Sequence, residues 1–285
     1  MITRRQAMLA AGAVMGAGAG AAIGLTAGAV AVRAVSPPTG PWTPIASGER
    51  AKLNGNGFEA ECGPNPVALQ LSKSGVVRAN IVRGNGWNED DPQYVERAEL
   101  DGWPSQISLD APIWTAWSMY YEKGPWSTSA WCILHQLFQV DGEPLAHVLK
   151  PDGMLHWVGS DTTDKPGVWP DRHSHKIEQG TWINFVEVRK FAPETGDGYW
   201  KSWVNGQQVL DHHGALGAKG VKSCYAKFGL YRNSRVAWDG LDPNVGPAFV
   251  KENVAVRFAN LHFGKEDLSR LIANPDPTPE FEPWG

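Results

Sequence analysis

Tyr225-Ala226-Lys227-Phe228-Gly229-Leu230-Tyr231-Arg232-Asn233 is the stretch whose reading decides the fold. Side chains alternate along a β-strand with period 2, so Tyr225, Lys227, Gly229 and Tyr231 share one face. Ala226, Phe228 and Leu230 share the other and suit a core. One face is therefore apolar, and the other carries two phenols and an ammonium around a glycine. Such a strand fits an antiparallel sheet that is packed on one side and open on the other. Gly229 weakens a strand and marks close approach of a ligand or another backbone.

Working outward, similar segments recur on both sides. Strands are expected over 58–62, 76–83 and 94–100, the last with Val95, Arg97 and Glu99 on one face. Residues 114–121 are aromatic and alternating. Residues 131–139 form the most apolar run and suit a central strand. Segments 145–150 and 154–159 flank Pro151-Asp152-Gly153, and 198–204 and 207–210 flank Asn205-Gly206; both are hairpin signals. Further strands are expected over 182–190 and 253–263, the latter setting Val254, Val256 and Phe258 against Ala255, Arg257 and Ala259. Polar loops are expected over 84–93, 161–176 and 233–246, and a short helix over 264–270. A loop as long as the second is often functional. Many short strands, little helical periodicity and no internal repeat indicate an all-β sandwich or jelly roll.

The first 35 of the 285 residues stand apart. Arg4-Arg5 precede an uncharged stretch rich in Ala and Gly, and Ala29-Val30-Ala31 offers a small-x-small cleavage site. This reads as a twin-arginine export signal, with a membrane anchor as the alternative. It places the protein in the periplasm or outside the cell. Residues 36–49, with Pro37, Pro38, Pro41 and Pro44, read as a linker. The domain is expected over 50–265, and 266–285 as a Pro- and Glu-rich tail. A formal net charge of −4 without a long basic block excludes nucleic acid as a ready partner. Fourteen tryptophans give weak support for sugar stacking, because Trp is also a core residue. Cys62, Cys132 and Cys224 are too few and too widely spaced for a disulfide scaffold or a metal site.

Three motifs then stand together: Arg97-Ala98-Glu99-Leu100, Gln136-Leu137-Phe138, and the opening Tyr225 to Asn233 stretch. In this order they resemble the jelly-roll polysaccharide lyases. In the alginate lyases of that fold the motifs look like Arg-x-Glu-Leu, Gln-x-His and Tyr-x-Lys-x-Gly-x-Tyr. Lys227-Phe228-Gly229-Leu230-Tyr231-Arg232 is also similar to the heparin-lyase and glucuronan-lyase branches. The resemblance implies a concanavalin-like β-jelly roll of two antiparallel sheets. It implies a monomer that cleaves an acidic, uronate-containing polysaccharide by β-elimination. Alginate and glucuronan are the substrates it brings forward.

Elimination requires that the substrate carboxylate be neutralised, that a base remove the C5 proton, and that an acid protonate the departing O4. The resemblance assigns the catalytic roles to Tyr231, Gln136 and Arg97. Arg97 would pair with the carboxylate bidentately, and Gln136 would donate to it. Tyr231 would serve as acid and as base. Lys227, Tyr225, Glu99 and Arg232 would bind substrate, and Lys227 would also supply a cation beside the phenol. The chain departs from the pattern at Phe138, where the alginate lyases place His. A replacement would come from His147, His156, His173, His175, His212 or His213. Of these, His173 and His175 sit in the expected long loop and are the candidates to fold over a cleft and bind substrate. Without one, Tyr231 must act alone.

A glycoside hydrolase would need two carboxylates flanking the bond, and no such spaced pair stands out. A non-catalytic carbohydrate-binding domain is the other alternative, kept open by Phe138. No cofactor and no catalytic metal are expected. Glu89-Asp90-Asp91 would allow a structural calcium ion at most.

Overall fold

The computed structural model describes residues 42–81, 95–124, 131–140, 144–150, 152–159, 170–233 and 253–278. The export segment, the loops over 84–93 and 234–246, Glu89-Asp90-Asp91 and residues 279–285 lie outside them. In chain order the strands are β1 (Trp42–Pro44), β2 (Arg50–Leu53), β3 (Asn56–Cys62), β4 (Leu69–Ser72), β5 (Val77–Ile81), β6 (Val95–Asp101), β7 (Ile107–Ser108), β8 (Ile113–Tyr121), β9 (Cys132–Gln139), β10 (Leu145–Leu149), β11 (Met154–Gly159), β12 (Asp171–Lys176), β13 (Trp182–Lys190), β14 (Gly198–Val204), β15 (Gln207–Gly214), β16 (Ser223–Asn233) and β17 (Val254–Gly264). A single-turn helix, α1 (Arg270–Ala273), follows.

The strands form two antiparallel sheets. One runs β1-β4-β5-β17-β8-β13-β14-β15. The other runs β12-β11-β10-β9-β16-β6-β3-β2, with β7 paired to β16. The chain moves repeatedly from one sheet to the other, which gives the jelly-roll sandwich that the motifs imply. The core lies between the inner faces. Trp117 stacks on Phe185 there at 4.9 Å, and Trp157 and Trp200 are fully buried. Burying a large apolar side chain contributes about 2–3 kcal/mol, so these rings hold the two layers together. The hairpin between β14 and β15 turns at Asn205 (φ 48°) and Gly206 (φ 81°), the left-handed pair that a two-residue turn requires.

Several boundaries differ from the sequence reading, for physical reasons. Trp42–Pro44, assigned by its prolines to a linker, is the edge strand β1 paired with β4; Pro is tolerated at a sheet edge. Asp171–Lys176, expected within a loop, is the edge strand β12 paired with β11. Its polar composition hides the strand signal, and charged edge strands resist aggregation. The expected alternation of β17 breaks at a register shift between Ala259 and His262, where Asn260 takes φ 56°. Leu261 and Phe263 therefore join Val254, Val256 and Phe258 in the core. The helix lies later than expected, and its Leu271 packs with Leu268, Ala116 and Val186.

Candidate active site

Four consecutive strands of the second sheet, β9, β16, β6 and β3, build the site. On β16, Cys224, Ala226, Phe228 and Leu230 enter the core, so Tyr225, Lys227 and Tyr231 must project from the opposite, outer face. The register then aligns functional groups across the ladders. Lys227 faces Gln136 on β9 and Asp101 on β6, and Tyr225 faces Phe138. Tyr231 faces Arg97, and Gly229 faces Glu99, which in turn faces Glu61 on β3. Gly229 is required here: its φ is +148°, and a Cβ would stand 2.2 Å from the Ala98 carbonyl oxygen.

These side chains form one buried charge network. Glu61 is its hub: Oε2 accepts from Arg97 Nη1 at 2.8 Å and from Lys227 Nζ at 2.8 Å. Arg97 Nε lies 3.1 Å from Glu99 Oε2, and Gln136 Nε2 donates to Glu99 Oε1 at 2.8 Å. Lys227 Nζ lies 3.1 Å from Asp101 Oδ2, while Asp101 Oδ1 accepts the Trp103 N–H at 2.7 Å. Burial alone would push the Glu61 carboxyl up, but Lys227 and Arg97 outweigh it and hold it at about 2. Asp101 fares differently. Burial pushes it up to about 6, against the pull of Lys227 and with the Glu61 charge adding to the rise. Burial also works against the charge on Lys227 and on Arg97, yet Glu61 and its neighbours raise both above their ordinary values.

An aromatic rim borders the network. The Arg97 guanidinium lies 4.5 Å from the Tyr231 ring centre, and Trp131 packs against the same ring at 5.6 Å. Lys227 Nζ stands 5.4 Å from the Phe138 ring and 5.7 Å from the Tyr225 ring. Phe138 thus lends Lys227 a π face where the alginate-lyase pattern has an imidazole. Tyr225 sits edge-on to Trp103 at 5.5 Å. Tyr231, Phe138, Trp103 and Trp131 are half-buried, whereas the charged groups beneath are almost closed off from solvent.

The structure brings together Tyr231, Gln136, Arg97, Lys227, Tyr225 and Glu99. Glu99 is fully buried and holds Arg97 and Gln136 rather than reaching outward. Arg232 does not join them. Alternation sends it to the opposite face, where it is fully buried and pairs with Glu96 at 2.6 Å. His173 and His175 do not join them either. They lie on edge strand β12 with their rings toward the core residue Trp157, at 5.3 and 6.4 Å. No histidine takes the place left by Phe138: of the four site strands only β9 carries one, His135, and it stacks in the core on Phe228. Sequence reasoning missed Glu61 and Asp101. Both continue an alternation that was visible on their strands, Glu59/Glu61 and Arg97/Glu99/Asp101. It also missed a buried group of His135, His147 and Glu187, drawn from three strands and both sheets. The three cysteines are free and buried, and burial raises their thiols to about 11 for Cys62 and about 12 for Cys132 and Cys224.

Comparison with solved structures returns the same architecture. An endo-β-1,4-glucuronan lyase from the fungus Trichoderma reesei matches with a TM-score of 0.52 at 13% identity, over 79% of this chain and 94% of that one. The alginate lyase Aly36B matches with a TM-score of 0.49 at 13% identity, over 79% and 96%. The catalytic domain of a glycoside hydrolase family 131 protein from Coprinopsis cinerea matches with a TM-score of 0.47 at 15% identity, over 74% and 84%. At such identities the first likeness speaks for the fold alone. A comparison with curated protein sequences returns no match. The polysaccharide lyase family model matches residues 73–249, which span β5 to β16 and hold all of the site except Glu61. By that match, the chain belongs to the polysaccharide lyases.

Proposed function

We propose that this polysaccharide lyase cleaves an acidic, uronate-containing glycan by β-elimination, with Tyr231 as the proton-transfer group. The observation that carries the reading is the place of Tyr231: a half-buried phenol on the rim, its ring against the Arg97 guanidinium, on the same face as Gln136 and Lys227. The substrate carboxylate docks beside Arg97 and Gln136, where it competes with Glu61 and Glu99. Arg97 and Lys227 offset the charge that spreads into the carboxylate as C5 is deprotonated. The C5–H electrons form the C4–C5 double bond, the C4–O4 bond breaks, and O4 takes a proton. With no imidazole on the outer face of the site strands, Tyr231 in its deprotonated form takes the C5 proton and returns it to O4. One group serving both ends fits a uronate whose C5 hydrogen and O4 lie on the same ring face, as in glucuronate and mannuronate. The half-exposed rings of Trp131, Trp103 and Phe138 suit stacking against sugar faces.

Glu61 and Asp101 favour a second reading. Two carboxyls pushed apart, one to about 2 and one to about 6, is the pattern of an acid–base pair in a hydrolase. Against it, both hold the same Lys227 ammonium, at 2.8 and 3.1 Å, so the cation fills the space where a glycosidic bond would lie. The export reading completes the proposal: the protein acts as a monomer outside the cytoplasm, delivered by the twin-arginine segment.

The test is incubation with alginate, glucuronan and heparin-type glycans, followed by ultraviolet absorbance of the unsaturated product. Rising absorbance on one polyuronate is expected. Reducing ends released without absorbance would replace elimination by hydrolysis. Binding without cleavage would make the domain a lectin.

A further inference from the structure

The ladder between β9 and β16 is broken where the site needs it. Phe228 pairs with His135, but the next pair is Tyr231 with Ile133. Strand β16 thus advances three residues while β9 advances two, a bulge that holds Gly229 and Leu230. A bulge re-aims the side chains beyond it and leaves backbone groups without ladder partners. At this point the Lys227 carbonyl is bonded by a side chain instead: His135 Nδ1 lies 2.7 Å from it. A carbonyl only accepts, so Nδ1 carries the proton.

His135 is fully buried on the core side of β9. Its ring stacks on Phe228 at 4.6 Å with an interplanar angle of 16°, and packs on Trp117 at 4.3 Å and His147 at 5.2 Å. Burial, with the His147 and Arg189 charges, holds it well below the ordinary histidine value, so it is neutral. His147 Nε2 in turn bonds Glu187 Oε1 at 2.9 Å. Glu187 also accepts from Trp157 Nε1 at 2.7 Å and from Arg189 Nη2. With three donors on its carboxylate and a guanidinium as counter-charge, Glu187 is already committed. The group crosses the core, hydrogen-bonded at each end and joined in the middle by the stacked His135 and His147 rings, and His135 is the end that touches the site strand.

We propose that His135 is a positioning residue for the elimination: by bonding the Lys227 carbonyl it fixes the bulge of β16 against β9, and so sets Tyr231, with its β6 partner Arg97, against Gln136 on β9. This rests on the reading of Tyr231 as the proton-transfer group. His135 does not reach the outer face and exchanges no proton with substrate.

The test uses the full chain and three variants. His135→Phe keeps the ring stack and removes the donor. His135→Asn keeps a donor at the δ position, and His135→Gln moves it one atom outward. For Phe, kcat on the cleaved polyuronate should fall by about a hundredfold, the usual cost of misplacing a reacting group by about 1 Å, with KM unchanged. Asn should recover most of kcat, and Gln should not. The pH profile of kcat should keep its shape in all three. Amide hydrogen exchange supplies a readout independent of activity: Gly229, Leu230 and Tyr231 should exchange faster in the Phe variant and return toward wild type in Asn. If Phe leaves both kcat and these amides unchanged, or if Asn and Phe lose kcat equally, the proposal is overturned. A wild-type protein inactive on every polyuronate would instead refute the reaction, while hydrogen exchange would still decide whether His135 holds the bulge.

Discussion

Replacing Glu61 by Gln removes the charge on which Arg97 and Lys227 converge. Both contacts are 2.8 Å long and nearly closed to solvent, so both cations lose a partner that water cannot replace. The carboxyl moves from an ordinary 4.5 to about 2 on folding. That difference of about 2.5 pKa units corresponds to about 3 kcal/mol of stabilisation at neutral pH. It agrees with the usual 3–5 kcal/mol for breaking a buried pair from one side. For a domain of this size the melting temperature should drop by roughly 6–12 °C. The pH dependence makes the prediction specific. A carboxyl depressed on folding contributes stability that is complete above its unfolded value and lost as pH falls through its folded value. The gap between wild type and Glu61→Gln, measured by urea or thermal unfolding, should therefore be full above pH 4.5 and shrink toward pH 2. A gap below about 1 kcal/mol at pH 7, or one that does not change down to pH 2, would refute the role of Glu61 as hub.

Asp101→Asn should show the opposite limb. A carboxyl raised on folding to about 6 from an ordinary 3.8 contributes stability below about pH 4 that is lost as pH rises to 6. Wild type should lose roughly 2–3 kcal/mol relative to Asp101→Asn across that interval in unfolding titrations, and a flat difference would contradict it. Gly229→Ala should destabilise by several kcal/mol, because its Cβ would strike the β6 backbone at Ala98 and Glu99 in a φ region that L residues avoid. Chemical denaturation would show this, and a change under about 1 kcal/mol would mean that the two strands can part at little cost.

Much of this was legible in the chain. The alternation of Tyr225 to Tyr231 placed two aromatic rings and an ammonium outside and Ala226, Phe228 and Leu230 inside. The same rule sets Gln136 and Phe138 on one face of β9 and His135 on the other. Applied strictly, it would also have excluded Arg232, which shares parity with Leu230. Glu61 and Asp101 were harder to find, because an acidic residue at alternate positions looks like a solvated strand face until a partner strand supplies cations. The loop expected over 161–176 hid β12, since an edge strand needs few apolar residues. The His135–His147–Glu187 group joins three strands from two sheets, and no local spacing encodes that contact. The β16 bulge was flagged only by Gly229, whose meaning depends on how closely β6 approaches.

The central claim is that Tyr231 moves the proton. It is tested most directly by following unsaturated product on glucuronan with wild type and Tyr231→Phe, while measuring binding of the same polymer by calorimetry. The account predicts steady product from wild type, at least a thousandfold less from the variant, and binding within a few-fold of wild type. A variant that still eliminates at a rate close to wild type would contradict it.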